Sequence, residues 1–178
     1  MIHCKAAVTD GNGQFSIKEI SVADPKGDEI LVKIMAAGIC HTDWDAQFWG
    51  KPLILGHEGA GIVVKTGEKV TALAIGDKVM LNWAIPCYQC FQCQLGNQHL
   101  CEPNSAVTAG NKRSGGHATY ESTTCEGKPI ERAFSLGTMA EYTLVREAAC
   151  VKIHVEMPYP SAAIVGCGVM TGYGSVVH

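Results

Sequence analysis

Four cysteines in the stretch PCYQCFQCQLGNQHLCE constrain this chain more than any other feature. Cys87, Cys90, Cys93 and Cys101 follow the pattern C-x2-C-x2-C-x7-C. Tight turns between cysteines three positions apart bring their sulfur atoms to one side, and four thiolates suit the tetrahedral coordination of zinc. Four protein ligands leave no position for a substrate, so we interpret residues 86–102 as a structural zinc lobe whose metal supplies folding energy.

Two other interpretations of these cysteines stay open. Bacterial ferredoxins begin with the same C-x2-C-x2-C, but their fourth cysteine follows after three residues and precedes proline. Here seven residues intervene and Glu102 follows. A disulfide framework fits poorly, because nine cysteines is an odd number and the start, MIHCKAAVTDGN, shows no signal peptide. We therefore expect a reducing, cytoplasmic compartment, in which clustered cysteines more often bind metal.

Composition excludes some classes of partner. Hydrophobic residues make up 47% of the 178 residues, which is enough for a core. The net charge of −3 and the scattered lysines argue against a nucleic-acid-binding surface, which presents a basic stripe. The longest uncharged run, residues 157–177, contains four glycines and two prolines, so it is a poor membrane span. We expect neither nucleic acid nor membrane as a partner.

The first half of the chain predicts short β-strands. Segments rich in β-branched residues are separated by turn residues at 11–13, 25–28 and 76–77. Two more strands are predicted in TMAEYTLVRE and CVKIH, and Ser161 is a candidate N-cap for a helical ending. This spacing favours a mainly β fold with short helices (α+β), closed or sandwiched.

A second set of candidate metal ligands is scattered along the chain. GICHTDWD contains Cys40, ILGHEGAGIV contains His57 and Glu58, and GCGVMTGYG contains Cys167. Taken singly, a buried cysteine is often only a small hydrophobic residue. The H-E-x-x-H motif of a metalloprotease is excluded, because Gly61 occupies the position of its second histidine.

Together these stretches resemble zinc-dependent alcohol dehydrogenases of the medium-chain dehydrogenase/reductase superfamily. GHEGAGIVVKTGEKV fits the family signature, and CHTD, the cysteine lobe, GTMAEY and GCGVMTGYG follow in the family's order. The resemblance implies one GroES-like β-barrel zinc-binding catalytic domain over residues 1–178. It also implies that residues 161–178 begin the link to a Rossmann domain that this sequence does not contain.

Carried onto this sequence, the resemblance implies two zinc ions per chain. The catalytic zinc would be held by Cys40, His57 and Cys167, the two-cysteine, one-histidine set known from alcohol dehydrogenase. Glu58 would lie just behind this metal. Asp43 would accept the other ring N–H of His57 and fix its tautomer.

The resemblance also implies the residues that serve the reaction. Thr42 would take the proton of the alcohol through its hydroxyl group. His41 would face the pyrophosphate of NAD or NADP, and Thr171 the nicotinamide ring. Many relatives have a histidine three residues after the hydroxyl residue to complete a proton relay, and this position is Asp45 here.

Aromatic residues suggest the substrate. By its position in the family, Trp83 would line the pocket, and Phe134 is a further candidate for its lining. Phe48 and Trp49 lie in a segment that is short for the family, where they either join the pocket or only pack the loop. A bulky aromatic pocket favours primary or aryl alcohols, and the lack of a basic residue after Cys101 disfavours a glutathione adduct.

The expected function is oxidation of an alcohol to an aldehyde by hydride transfer to NAD(P), with zinc stabilising the alkoxide. The isolated chain is expected to bind zinc but to turn over slowly or not at all, and the full-length enzyme to be a homo-oligomer. One alternative is a non-catalytic zinc-binding scaffold or interaction module. The other is a polyol- or formaldehyde-processing dehydrogenase of the same superfamily.

Overall fold

A computed structural model describes residues 1–103 and 122–177. The strands are β1 Ile2–Thr9, β2 Phe15–Val22, β3 Glu29–Ala37, β4 Leu53–Ile54, β5 Gly59–Thr66, β6 Lys78–Leu81, β7 Thr123–Cys125, β8 Lys128–Pro129, β9 Glu131–Arg132, β10 Tyr142–Arg146 and β11 Cys150–Lys152. The helices are α1 His41–Ala46, α2 Phe91–Gln94, α3 Tyr159–Ile164 and α4 Met170–Val177, and a π-helical turn, Val165–Val169, joins α3 to α4. The predicted mainly β fold with short helices is confirmed.

The strands form two sheets in a barrel-like arrangement. One sheet has the order β8-β7-β2-β1-β4-β9 and the other β10-β3-β5-β6-β11. Neighbouring strands are antiparallel except for β4 and β9. A bridge between Ala6 and Ala140 joins the sheets, and the Ala7 amide donates to the Met139 carbonyl at 2.8 Å.

Apolar side chains from both sheets fill the interior. Among the large aliphatic side chains, those at 0% exposure are Val22, Ile30, Leu31, Val32, Val63, Val79, Leu81, Leu136 and Leu144. Burying each large aliphatic side chain contributes roughly 1.5–3 kcal/mol relative to exposure. The β-branched residues that predicted strands therefore also supply the core.

Strand register brings two distant segments of the sequence to one end of the second sheet. In the β3–β5 pair, Ala37 lies opposite Gly59 and Ala36 opposite Ala60. The residues just after β3 therefore emerge beside the residues just before β5. This places Cys40 near His57 although seventeen positions separate them in the sequence.

The last helix adds a third segment to this end of the sheet. Ala162 and Ala163 on α3 are buried in one cluster with Ala60. The helix begins at Tyr159 with Pro158 as its N-cap, earlier than the predicted cap at Ser161. Pro160 lies in the first turn, where proline suits a helix start because its missing N–H would have had no partner.

The helical run Tyr159–Val177 is long and apolar enough to cross a membrane, judged by length and composition alone. About a fifth of it, 22%, is buried in the structure. The first turns pack on the barrel, and Gly166 lies directly against the carbonyl of Leu81. A helix packed on a protein core passes the same length and composition test.

Gly56 lies at the corner that leads into β5. Gly76, which precedes β6, is a matched control for testing it. Both have positive φ, 95° and 93°. A methyl group on Gly56 would lie 2.5 Å from the Met139 amide nitrogen, whereas nothing lies within 4 Å of one on Gly76. We expect Gly76→Ala to lower the free energy of unfolding by about 1–3 kcal/mol through strain alone. Gly56→Ala should lower it by a further 1–3 kcal/mol, roughly, because the backbone must also move.

Urea unfolding followed by tryptophan fluorescence measures both changes. Equal losses of stability in the two variants would show that the packing around Gly56 contributes nothing.

Candidate metal centre

Four potential metal ligands from three segments converge at the end of the second sheet. Their donor atoms, on Cys40, His57, Glu58 and Cys167, all lie within 4.8 Å of one another. His57 is 2% exposed, Glu58 4% and Cys167 9%. The Sγ atom of Cys167 lies 3.5 Å from Nε2 of His57. We call these four residues the open group. Its thiol and imidazole ligands, Cys40, His57 and Cys167, number three, so a tetrahedral metal would keep one position open.

The carboxylate of Asp43 holds two of these segments together. Oδ1 accepts hydrogen bonds from Nδ1 of His57 at 3.1 Å and from the Gly56 amide at 3.2 Å. Oδ2 accepts one from the Cys40 amide at 2.9 Å. Because the carboxylate can only accept, Nδ1 of His57 carries the proton and Nε2 presents a lone pair on the side of Cys167.

Electrostatics within the open group favour a bound cation. Burial, followed by the charges of Cys40 and Glu58, raises the pKa of Cys167 to about 12. Burial alone would also raise the pKa of Cys40, but hydrogen bonds from the backbone and hydroxyl of Thr42, together with His57, outweigh it and lower the pKa. Burial would lower the pKa of His57, yet the hydrogen bond and charge of Asp43 raise it. Burial thus disfavours the thiolate of Cys167, and a divalent cation bound beside it would stabilise that thiolate.

Other predicted site residues lie around this centre. The Thr42 hydroxyl oxygen lies 3.8 Å from Sγ of Cys40. His41 is 86% exposed and Asp45 60% exposed, with 3.7 Å between Nε2 and Oδ1. Thr171 is exposed on α4, where its carbonyl accepts a hydrogen bond from the Ser175 hydroxyl at 2.8 Å. Of these four residues, Thr42 contacts the open group, whereas His41, Asp45 and Thr171 are exposed.

Three aromatic side chains gather beside the centre. The ring of Phe134 lies 4.9 Å from that of His57, 5.6 Å from Trp83 and 5.7 Å from Trp49, between centroids. Phe134 and Ser135 both have left-handed backbone conformations, with φ of 52° and 61°. Such conformations are costly in residues other than glycine and cluster at functional sites.

Phe48 lies apart from these rings. Its ring is 6.2 Å from that of Trp44, and it packs against Gly13. Phe48 is 58% exposed. Of the two aromatic residues in the short loop that could have joined the pocket, only Trp49 contacts Phe134.

The four cysteines of the lobe also converge. The sulfur atoms of Cys87, Cys90, Cys93 and Cys101 lie within 4.8 Å of one another. Backbone amides point at the sulfurs: Cys87 N lies 3.3 Å from Cys101 Sγ, and Cys90 N lies 3.3 Å from Cys87 Sγ. Hydrogen bonds, first from the Gln89 amide, lower the pKa of Cys87 to about 7. Thiolate and imidazole donors suit zinc, so both groups fit that metal.

Three contacts at the open group were not predicted from the sequence. The Thr138 hydroxyl donates to the Glu58 carbonyl at 2.8 Å, and the Gly168 amide donates to Oε1 of Glu58 at 3.2 Å. Gly38 lies against the same carboxylate. GTMAEY and GCGVMTGYG contain two of these residues, but short motifs do not reveal which backbone groups meet a side chain.

Comparison with known proteins extends this description. The model of the alcohol dehydrogenase GroES-like domain family matches residues 26–155. The chain is similar to an alcohol dehydrogenase zinc-binding domain protein from Burkholderia ambifaria, with 33% identity and a TM-score of 0.87, over 99% of this chain and 49% of that one. It is similar to benzyl alcohol dehydrogenase from Acinetobacter calcoaceticus, with 33% identity and a TM-score of 0.84, over 100% and 48%.

A more distant structure shares the fold. A thermostable alcohol dehydrogenase from Pyrobaculum aerophilum with cobalt and zinc bound is 24% identical, with a TM-score of 0.73, over 97% of this chain and 47% of that one. The chain thus spans about half the length of the structures it matches. Together with the donor atoms, the 33% identical zinc-binding domain protein supports zinc as the metal. The chain belongs to the alcohol dehydrogenase GroES-like domain family of the medium-chain dehydrogenase/reductase superfamily.

Proposed function

We propose that this chain is the zinc-binding catalytic domain, residues 1–178, of an alcohol dehydrogenase that oxidises primary or aryl alcohols to aldehydes with NAD or NADP. The support is the open group, because a purely structural zinc protein needs only the cysteine lobe at 86–102. Cys40, His57 and Cys167 provide three ligands, which leaves a fourth position for substrate. Zinc, when bound there, supplies a Lewis acid that lowers the pKa of an oxygen ligand.

The other proposed roles in the reaction belong to side chains of this chain. Asp43 fixes the tautomer of His57, so that Nε2 is free to bind metal. The Thr42 hydroxyl lies beside Cys40 and is the group proposed to accept the alcohol proton. His41 and Thr171, both exposed, are proposed to contact the nucleotide cofactor, and Asp45 to extend the proton path through His41. The nicotinamide of the cofactor, when bound, would supply the acceptor for the hydride of the alcohol carbon.

The setting of this reaction is part of the proposal. The described sheets are antiparallel apart from the short β4–β9 pair, so residues 1–103 and 122–177 contain no parallel nucleotide-binding sheet. We propose that residues 161–178 lead into such a domain, that the cofactor site is completed there, and that the whole enzyme is a cytoplasmic homo-oligomer. We propose no membrane or nucleic-acid partner for it.

Aromatic packing supports an aryl alcohol as substrate. Phe134, Trp83 and Trp49 form a wall beside His57, and benzyl alcohol dehydrogenase is among the similar structures. Aromatic rings prefer edge-to-face or offset contacts with one another, and each such pair contributes about 0.5–1.5 kcal/mol beyond area burial. A benzylic ring beside Phe134 would gain this energy, and an aliphatic chain would not.

Metal content tests the two-site proposal. We expect two zinc ions per purified chain by elemental analysis, one lost under mild chelation and one retained. Cys167→Ser should reduce the content to one. Cys4→Ser is the matched control, since Cys4 is buried but belongs to neither group, and it should leave two. A single tightly held zinc in the unmodified chain would favour a non-catalytic scaffold, and iron with a brown colour would favour an iron–sulfur lobe.

Asp43→Asn tests the support of His57. The substitution removes the charge and replaces an accepting oxygen by a donor, so the zinc affinity of the open group should fall about 10- to 100-fold. Competition with a chromophoric chelator measures this affinity. Asp45→Asn, on the same helix but 60% exposed, should leave it unchanged. Equal affinities in the two variants would remove Asp43 from the metal site.

Phe134→Ala tests the substrate class. In the zinc-loaded chain, binding of benzyl alcohol measured by titration calorimetry should weaken about fivefold, equivalent to roughly 1 kcal/mol, while binding of hexanol changes less. Phe15→Ala, at an exposed position on β2, should change neither. Equal weakening for both alcohols would exclude a specific aromatic contact.

The same samples should form no NADH when NAD is added, and measurable NADH would show that the chain alone is an active enzyme.

A further inference from the structure

We propose that Glu58 is a positioning residue: its carboxylate, given room by Gly38, holds the amide of Gly168 and thereby fixes the Cys167 thiol in the open group. The inference rests on the proposed function in one respect, that Cys167 is a zinc ligand. It assigns a role to Gly38 and to the backbone of Gly168 rather than a further metal ligand.

One oxygen of the Glu58 carboxylate is hydrogen-bonded, and the other packs against Gly38. Oε1 accepts a hydrogen bond from the Gly168 amide at 3.2 Å. Oε2 lies where a side chain on Gly38 would begin, so that a methyl group there would overlap it. Glu58 is 4% exposed, so solvent does not compete for these contacts. A buried carboxylate needs such N–H partners, because leaving it without them costs several kcal/mol.

The backbone of Glu58 is equally fixed. Its carbonyl accepts hydrogen bonds from the Thr138 hydroxyl at 2.8 Å and from the Gly38 amide at 3.2 Å. The carboxylate therefore extends from an anchored residue. Movement of the carboxylate requires rotation of its own side chain, and the space above Gly38 decides whether the observed position is available.

Cys167 lies in the one turn of the last helix that departs from α-helical geometry. Val165–Val169 is a π-helical turn, and such turns are rare and concentrate at functional sites. On one side of Cys167, Gly166 lies against the Leu81 carbonyl. On the other, Gly168 donates to Glu58. Both flanking glycines are thus held against the barrel, and the thiol between them points at His57 from 3.5 Å.

Gly38→Ala is the direct test. Gly38 has an ordinary φ, so the added methyl group acts through overlap with the Glu58 carboxylate rather than through backbone strain. Exchange of the Gly168 amide with deuterium should quicken at least tenfold, even without zinc. Zinc should leave the open group about 10 to 100 times faster, while the lobe zinc is unaffected. Gly172→Ala, also in the last part of the chain but with nothing within 4 Å, is the matched control.

Variants of Glu58 distinguish an effect of Gly38→Ala that acts through the Glu58 carboxylate from a general disturbance of the local fold. Glu58→Ala removes the acceptor, so Gly168 exchange should quicken by a similar factor, and adding Gly38→Ala should then have little further effect. Glu58→Gln keeps an accepting oxygen and should restore most of the protection. If Gly38→Ala has the same effect with and without the Glu58 carboxylate, or if the Gly168 amide stays protected in Glu58→Ala, the proposal is wrong.

The two readouts keep this proposal distinct from the proposed function. Amide exchange of the metal-free chain reports whether Glu58 holds Gly168, whatever the metal. If the open group of the unmodified chain binds no zinc, the proposed function and the role of Cys167 as a ligand are both wrong. If the unmodified chain binds zinc normally but Gly168 exchange is unchanged in Glu58→Ala, only the positioning role is wrong.

Discussion

The carboxylate of Asp43 is the contact on which the arrangement of the open group depends. It is 4% exposed and accepts hydrogen bonds from the Cys40 amide, the Gly56 amide and the His57 ring. These donors come from the loop after β3 and the loop before β5, so one side chain joins both. Without them the charge would be buried unpaired, which is strongly unfavourable. The need to satisfy Asp43 thus fixes where the two loops lie and which nitrogen of His57 faces Cys167.

The barrel makes this contact possible by bringing the loops together first. Pairing of β3 with β5 is antiparallel, with Ala37 opposite Gly59, so the two loops leave the sheet side by side. Small residues then allow close approach: Gly56 adopts a positive φ beside Met139. A larger residue at Gly56 would meet the Met139 amide nitrogen, which cannot turn away as a flexible side chain can. The geometry of the donors is consequently set by rigid strands, which is the usual requirement for a precise metal site.

Sequence reasoning succeeded where pattern alone determines structure. The strands around Ile20 and Val32 and the convergence of the lobe cysteines follow from local periodicity and spacing, and the structure shows both. Helix α1 was not predicted, because six residues carry too little periodicity. Nor was the π-helical turn around Cys167, in which the Gly168 amide donates to Glu58, a residue 110 positions earlier in the chain. The contact of Phe48 with Gly13 could not be predicted either, because the sequence does not show which of Phe48 and Trp49 joins the pocket.

The two donor groups differ in how they depend on folding. All four lobe cysteines fall within residues 87–101, so a metal there can organise its own loop and gain folding energy directly. The open group draws Cys40, His57 and Cys167 from segments joined only through the barrel, so its donors are together only when the barrel is folded. Zinc affinity at the open group is therefore linked to the stability of the whole domain, whereas the lobe responds mainly to its own sequence. This difference, rather than ligand chemistry alone, explains why one metal would be held tightly and the other would exchange.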